Sequence, residues 1–104
     1  MGVRVVRFAN LLPRTQAGMV IAKQVIRSGT SVGANVEEAQ NSPTRKDFVK
    51  CMTIALKEAR ETDYWLRLAF ESGTISLDTS ELRGELNEII KILTSSVKNA
   101  KKRL

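Results

Sequence analysis

The chain contains no histidine. That removes the side chain best suited to acid–base chemistry near neutral pH and the commonest metal ligand. It also removes the Glu-x-x-His pairs on which di-metal helical bundles depend. Cysteine is nearly absent as well. Cys51 stands alone, so no disulfide forms within the chain, and its apolar helical surroundings suggest buried packing rather than an activated nucleophile. Lysine can act as a base, but nothing in the pattern singles one out. No enzymatic activity, cofactor or metal is therefore expected.

Other scarcities narrow the fold. Two prolines and six glycines in 104 residues are too few for a turn-rich β protein. The five aromatic residues are Phe8, Phe48, Tyr64, Trp65 and Phe70, so the core must be mainly aliphatic. Long apolar runs are missing, so no membrane-spanning helix is expected. Arg4, Arg7 and Asn10 interrupt the one N-terminal stretch that could serve as a secretory core. Val6 stands where myristoylation needs Ser or Thr. The expectation is a soluble cytoplasmic protein with one domain over residues 1–104.

What remains is rich in helical periodicity. Residues 3–11 read as a short helix that ends before Pro13. Thr15 suits the N-cap of a second helix. Ile21, Val25, Ser28, Val32, Asn35 and Ala39 carry that helix to about residue 40, across both Gly29 and Gly33. A break at residues 28–30 is the competing reading. The third helix starts either at Ser42 with Pro43 in its first position, or at Thr44 with Asp47 three residues on. Phe48, Met52, Ala55, Ala59, Thr62, Leu66 and Ala69 form one stripe along it. Ile54, Glu58, Glu61, Trp65 and Leu68 form a second, and Gly73 stops the helix. For the last helix, Asp78 offers a cap, Glu81 a return bond, and Leu77 a staple to Leu82. Leu82, Leu86, Ile89, Leu93, Val97, Ala100 and Leu104 then line one face. The pattern predicts an all-α, antiparallel, up-down four-helix bundle with a short first helix.

The densest information lies in residues 27–39. Two helical glycines, each costing about 1 kcal/mol against alanine, need a physical reason. Gly29 and Gly33 are four apart and share a helical face, which suggests close helix packing. No strand precedes them and no Gly-Lys-Ser/Thr follows, which favours close helix packing over a nucleotide-phosphate loop. Arg27, Ser31, Asn35 and Glu38 lie on another side of the same helix. Glu58 and Glu61 are three apart on the third. Antiparallel packing would set Arg27 or Asn35 against those carboxylates in a polar network that fixes register. Carboxylates paired for acid–base or metal chemistry are the alternative.

The run Arg27-Ser28-Gly29-Thr30-Ser31-Val32-Gly33-Ala34-Asn35, followed by Glu38-Ala39, carries a resemblance. It continues through Lys46-Asp47-Phe48, residues 54–62, Tyr64-Trp65-Leu66 and residues 96–101. The chain resembles the small bacterial "four helix bundle" proteins, first noticed in intervening sequences of 23S ribosomal RNA genes. The resemblance implies the four-helix fold and a homopentamer. Distant relatives that act as accessory factors beside reverse transcriptases suggest a nucleic-acid association by analogy. Family members begin with a longer first helix. Here either the start is truncated or neighbouring subunits cover the apolar surface left bare.

Seventeen basic against eleven acidic residues give a net charge of +6, which favours anionic partners. Arg4, Arg7 and Arg14 precede the second helix; Lys98, Lys101, Lys102 and Arg103 close the fourth. Terminal helices are neighbours in an up-down bundle, so these two groups are expected to merge into one patch. Arg45, Lys46 and Lys50 form a second cluster. Phosphate binding needs cations but no motif, and no RNA-binding module motif is present. The expected function is a non-enzymatic, homo-oligomeric accessory protein that binds RNA or DNA through basic residues. The alternative is a protein-binding scaffold whose positive surface serves solubility.

Overall fold

The computed structural model describes residues 1–104. Four helices follow one another: α1 (Gly2–Leu11), α2 (Gln16–Gln40), α3 (Arg45–Glu71) and α4 (Ser80–Lys101). They form an antiparallel bundle of 46 × 20 × 18 Å. Helices of about 26 residues span ~39 Å at 1.5 Å per residue, so α2 and α3 set the long axis.

The helix starts follow local hydrogen-bond chemistry. Thr15 Oγ1 accepts the Gly18 amide at 3.0 Å and caps α2. Thr44, and not Ser42, caps α3. Its hydroxyl accepts the Asp47 amide at 3.1 Å and donates to the Asp47 carboxylate at 2.8 Å. Ser42 is occupied on the other side of the turn, where its hydroxyl donates to the Glu38 carbonyl, and Pro43 lies outside the helix. At α4 the cap falls one residue later than the sequence suggests. Thr79 occupies the N-cap position without a side-chain bond. Asp78 still accepts the Ser80 amide at 2.9 Å. Glu81 does not reach back to close a capping box; it faces Arg4.

Helix α2 is continuous through residues 28–30. Ser28 and Thr30 donate to the carbonyls of Gln24 and Ile26 four residues back, so the hydroxyls that could have broken the helix are absorbed by it. At the end of α3, Gly73 adopts φ +74. This left-handed step turns the chain so that the Ile75 amide bonds the Ala69 carbonyl and Ile75 is buried.

Each helix supplies one fully buried aliphatic residue: Val5, Val25, Leu66 and Leu86. The main predicted stripes are the buried ones, with Asn35, Phe48 and Ile89 half-covered and Leu104 exposed, whereas the second stripe of α3 is only half-covered and its Ile54 is exposed. Cys51 is also only half-buried. Ser28 and Thr62 are entirely buried between α2 and α3, with their hydroxyl oxygens 2.8 Å apart. Gly29 is buried under α1. A Cβ there would collide with Val5 Cγ1 and lie 3.2 Å from two further Val5 carbons. Gly33 corrects the expectation. It is exposed, and a Cβ built on it meets nothing within 4 Å. Helix α1 has already ended at that level, so no backbone approaches Gly33 within the chain.

The short α1 divides the bundle. It runs beside α2 and the first turns of α4. Past Met1 the molecule continues as three helices. A hollow of about 440 Å³ opens there, lined by Met1, Gly29, Gly33, Val36, Gln40 and Ile89 among others.

Candidate nucleic-acid interface

The two ends of the bundle treat positive charge differently. At the four-helix end, Arg4 and Arg83 are matched. Arg4 pairs with Glu85 and lies 3.5 Å from Glu81. Arg83 grips Asp63 at 2.9 Å, which raises the guanidinium pKa above its usual value and keeps it charged. Arg7 and Arg14 remain exposed without an ion pair.

Halfway along α2, Arg27 donates to Glu58 at 3.1 Å, to Glu61 and to Gln24 at 2.9 Å. Trp65 Nε1 donates to the same Glu61 carboxylate. Glu58 and Glu61 thus share one guanidinium, which joins α2 to α3 at a set register. Exposed pairs of this kind add little stability. The rest of the predicted network does not assemble across helices. Asn35 donates to the carbonyl and hydroxyl of Ser31, one turn back in α2. Glu38 is exposed and lies outside the group. No three His, Cys, Asp or Glu side chains come together, and no helix is long and apolar enough to cross a membrane.

The three-helix end is different. Antiparallel packing brings the first turns of α3 to the last turns of α4. Arg45, Lys46 and Lys50 arrive from one side, and Lys98, Lys101, Lys102 and Arg103 from the other. All seven are exposed, and the ion pairs of the molecule include none of them. Helix α4 carries no acidic residue after Glu88. Asp47, in the first turn of α3, is held by Thr44, and the exposed Glu37 and Glu38 in the last turn of α2 lie at the same end. Arg45 and Arg103 line one cleft of about 250 Å³ with Phe48, Ser96, Asn99 and Ala100. A second depression of about 380 Å³ shares Arg45 and Phe48 with it and extends over Ser42 and Thr44 to Gln40.

The expected merger of the two terminal clusters does not occur. Helices α1 and α4 are neighbours, but they run antiparallel. Arg4 therefore meets Glu81 and Glu85, and Lys98 lies thirteen residues beyond Glu85, ~20 Å along the axis. The C-terminal cations combine instead with the cluster at Arg45.

Several features escaped the sequence pattern. The Ser28–Thr62 pair was legible only as two polar residues inside apolar stripes. Gly18 sits where a Cβ would collide with the Pro13 carbonyl; a glycine in the first turn after a Thr cap was its only signal. An apolar groove also runs along the outside of α2 and α3, lined by Ala17, Val20, Ile21, Trp65 and Leu68.

Comparison with known proteins accords with this architecture. No curated protein matches the chain. The chain is similar to the crystal structure of a Bacteroides thetaiotaomicron protein of unknown function from the S23 ribosomal protein family. The two are 41% identical with a TM-score of 0.85, over 93% of this chain and 91% of the other. Residues 1–95 match the family described as 23S rRNA-intervening sequence protein. The chain belongs to that family.

Proposed function

We propose that the protein is a non-enzymatic accessory factor that holds RNA or DNA by its phosphate backbone at the three-helix end. One observation carries this reading: seven exposed cations, none of them ion-paired, gather from α3 and α4 at one tip. Backbone binding requires no recognition motif and releases counterions, so affinity falls steeply with salt.

Self-association belongs to the same proposal, with a homopentamer as the expected assembly. The outer groove of α2 and α3 supports it, because Val20 is 53% exposed there beside Trp65 and Leu68. A closed ring would repeat the basic tip once per subunit and multiply weak phosphate contacts by avidity. The second reading, a protein scaffold without a nucleic-acid role, rests on that groove alone. Titrating salt against retention of generic RNA and DNA separates the two. Retention at low salt that disappears as salt rises supports the first; no retention at any salt leaves the scaffold.

A further inference from the structure

We infer that the basic tip contains a subsite for one unpaired nucleotide, its phosphate between Arg45 and Arg103 and its base against Phe48. This rests on the nucleic-acid reading above and goes beyond it, because charge alone does not distinguish a duplex from a single strand.

Three observations lead there. Two open depressions adjoin one another at the tip, and Arg45 and Phe48 line both halves of this trough. Both guanidiniums in that trough lack a carboxylate partner. Phe48 is the only aromatic residue at this end. Tyr64, Trp65 and Phe70 lie in the second half of α3, and Phe8 is a buried residue of α1 at the other end. Phe48 is half-buried and lines both depressions. It is held by the core on one side and faces the trough on the other.

Cations alone bind phosphates of any nucleic acid. An aromatic ring that shares a cleft with two arginines adds a stacking surface that only a base released from its partner can reach. Ser96 and Asn99 line the trough beside Arg103 and supply donors and acceptors for a base edge or a sugar. Arginine suits this place better than lysine, since its planar fork can both grip phosphate and stack on a base. Volumes of about 250 and 380 Å³ sit at the small end of ~300–1,000 Å³ ligand sites.

Fluorescence anisotropy with labelled oligouridylate, alone or annealed to oligoadenylate, tests the subsite at constant salt. The single strand is expected to bind about 10-fold more tightly than the duplex. Phe48→Leu keeps an apolar side chain against the core and should erase that preference while leaving the salt dependence unchanged. Arg45→Gln and Arg103→Gln replace exposed side chains, so they fold normally and decide the matter even where Phe48→Leu does not fold. Each should weaken the single strand more than Lys98→Gln does. Equal binding of both forms by the parent, or arginine variants no worse than Lys98→Gln, overturns the subsite and leaves backbone binding standing. Absence of binding to either form overturns the nucleic-acid reading itself.

Discussion

Val5 of α1 rests directly on the backbone of Gly29 in α2, with no room for a Cβ between them. Val5 is completely buried there. The short first helix is thereby seated on α2, and the glycine that weakens α2 locally is what lets α1 approach.

Gly29→Ala is expected to force Val5 aside and destabilise the protein by about 1–3 kcal/mol. Combining it with Val5→Ala should recover part of that loss, because the pair shares one space. Gly33→Ala, at a site with nothing within 4 Å, should instead stabilise by up to about 1 kcal/mol through helix propensity. Urea denaturation of the variants checks all three. An equal loss at both glycines would mean that Gly33 is also covered, by another subunit.

Thr62→Val should cost only about 1 kcal/mol, although the site is fully buried. Ser28 keeps its own bond to the Gln24 carbonyl, so no buried donor is stranded. Thr62→Ala should cost more than Thr62→Val, since it also opens a cavity between α2 and α3. Thermal melts rank the two.

The entry to α4 should weaken in acid. The Ser80 amide and hydroxyl hold Asp78 below its ordinary value of 3.8. A lowered folded pKa stabilises at pH above 3.8, and that contribution is lost as pH falls from there through the folded value. Asp78→Asn should therefore melt earlier than the parent at neutral pH and lose less on acidification. Parallel pH–melting curves for the two proteins would remove Asp78 from the account.

Charge at the two ends should behave differently in nucleic-acid binding. Replacing Lys98, Lys101, Lys102 and Arg103 by alanine should flatten the dependence of affinity on salt, by about 0.7–0.9 for each phosphate no longer neutralised. Replacing Arg4, Arg7 and Arg14 should change it far less. Arg4 is spent on Glu85 at the opposite end of the molecule. Filter binding over a salt series measures both slopes, and similar slopes for both variants would contradict separate ends.

Self-association should depend on the outer groove of α2 and α3. Val20→Lys places a charge on its exposed apolar floor, so sedimentation should shift from oligomer toward monomer with helicity unchanged. A parent that sediments as a monomer at micromolar concentration would end the pentamer proposal.

Much of the fold was legible residue by residue. The apolar stripes, the Thr15 cap and the Gly73 stop all depend on neighbours within a turn or two, and such contacts repeat with the helical period. Even the Arg27 bridge to Glu58 and Glu61 follows from antiparallel packing of two long helices. The start of α3 was less plain, because Ser42 and Thr44 both suit a cap. It was decided by Ser42 bonding back into α2.

The sequence alone determined four helices, their faces and a surplus of positive charge, because periodicity and composition are local properties. Tertiary structure decided where those features meet. The length and direction of α1 set which glycine is covered, so Gly29 packs tightly and Gly33 stands open. The antiparallel register of α1 on α4 sends Arg4 to Glu85. The turn from α2 into α3 carries Arg45 and Phe48 to the end of α4. Residues 45 and 103 are far apart along the chain, and no local pattern relates them. Only the packing of α3 against α4 makes them two walls of one cleft.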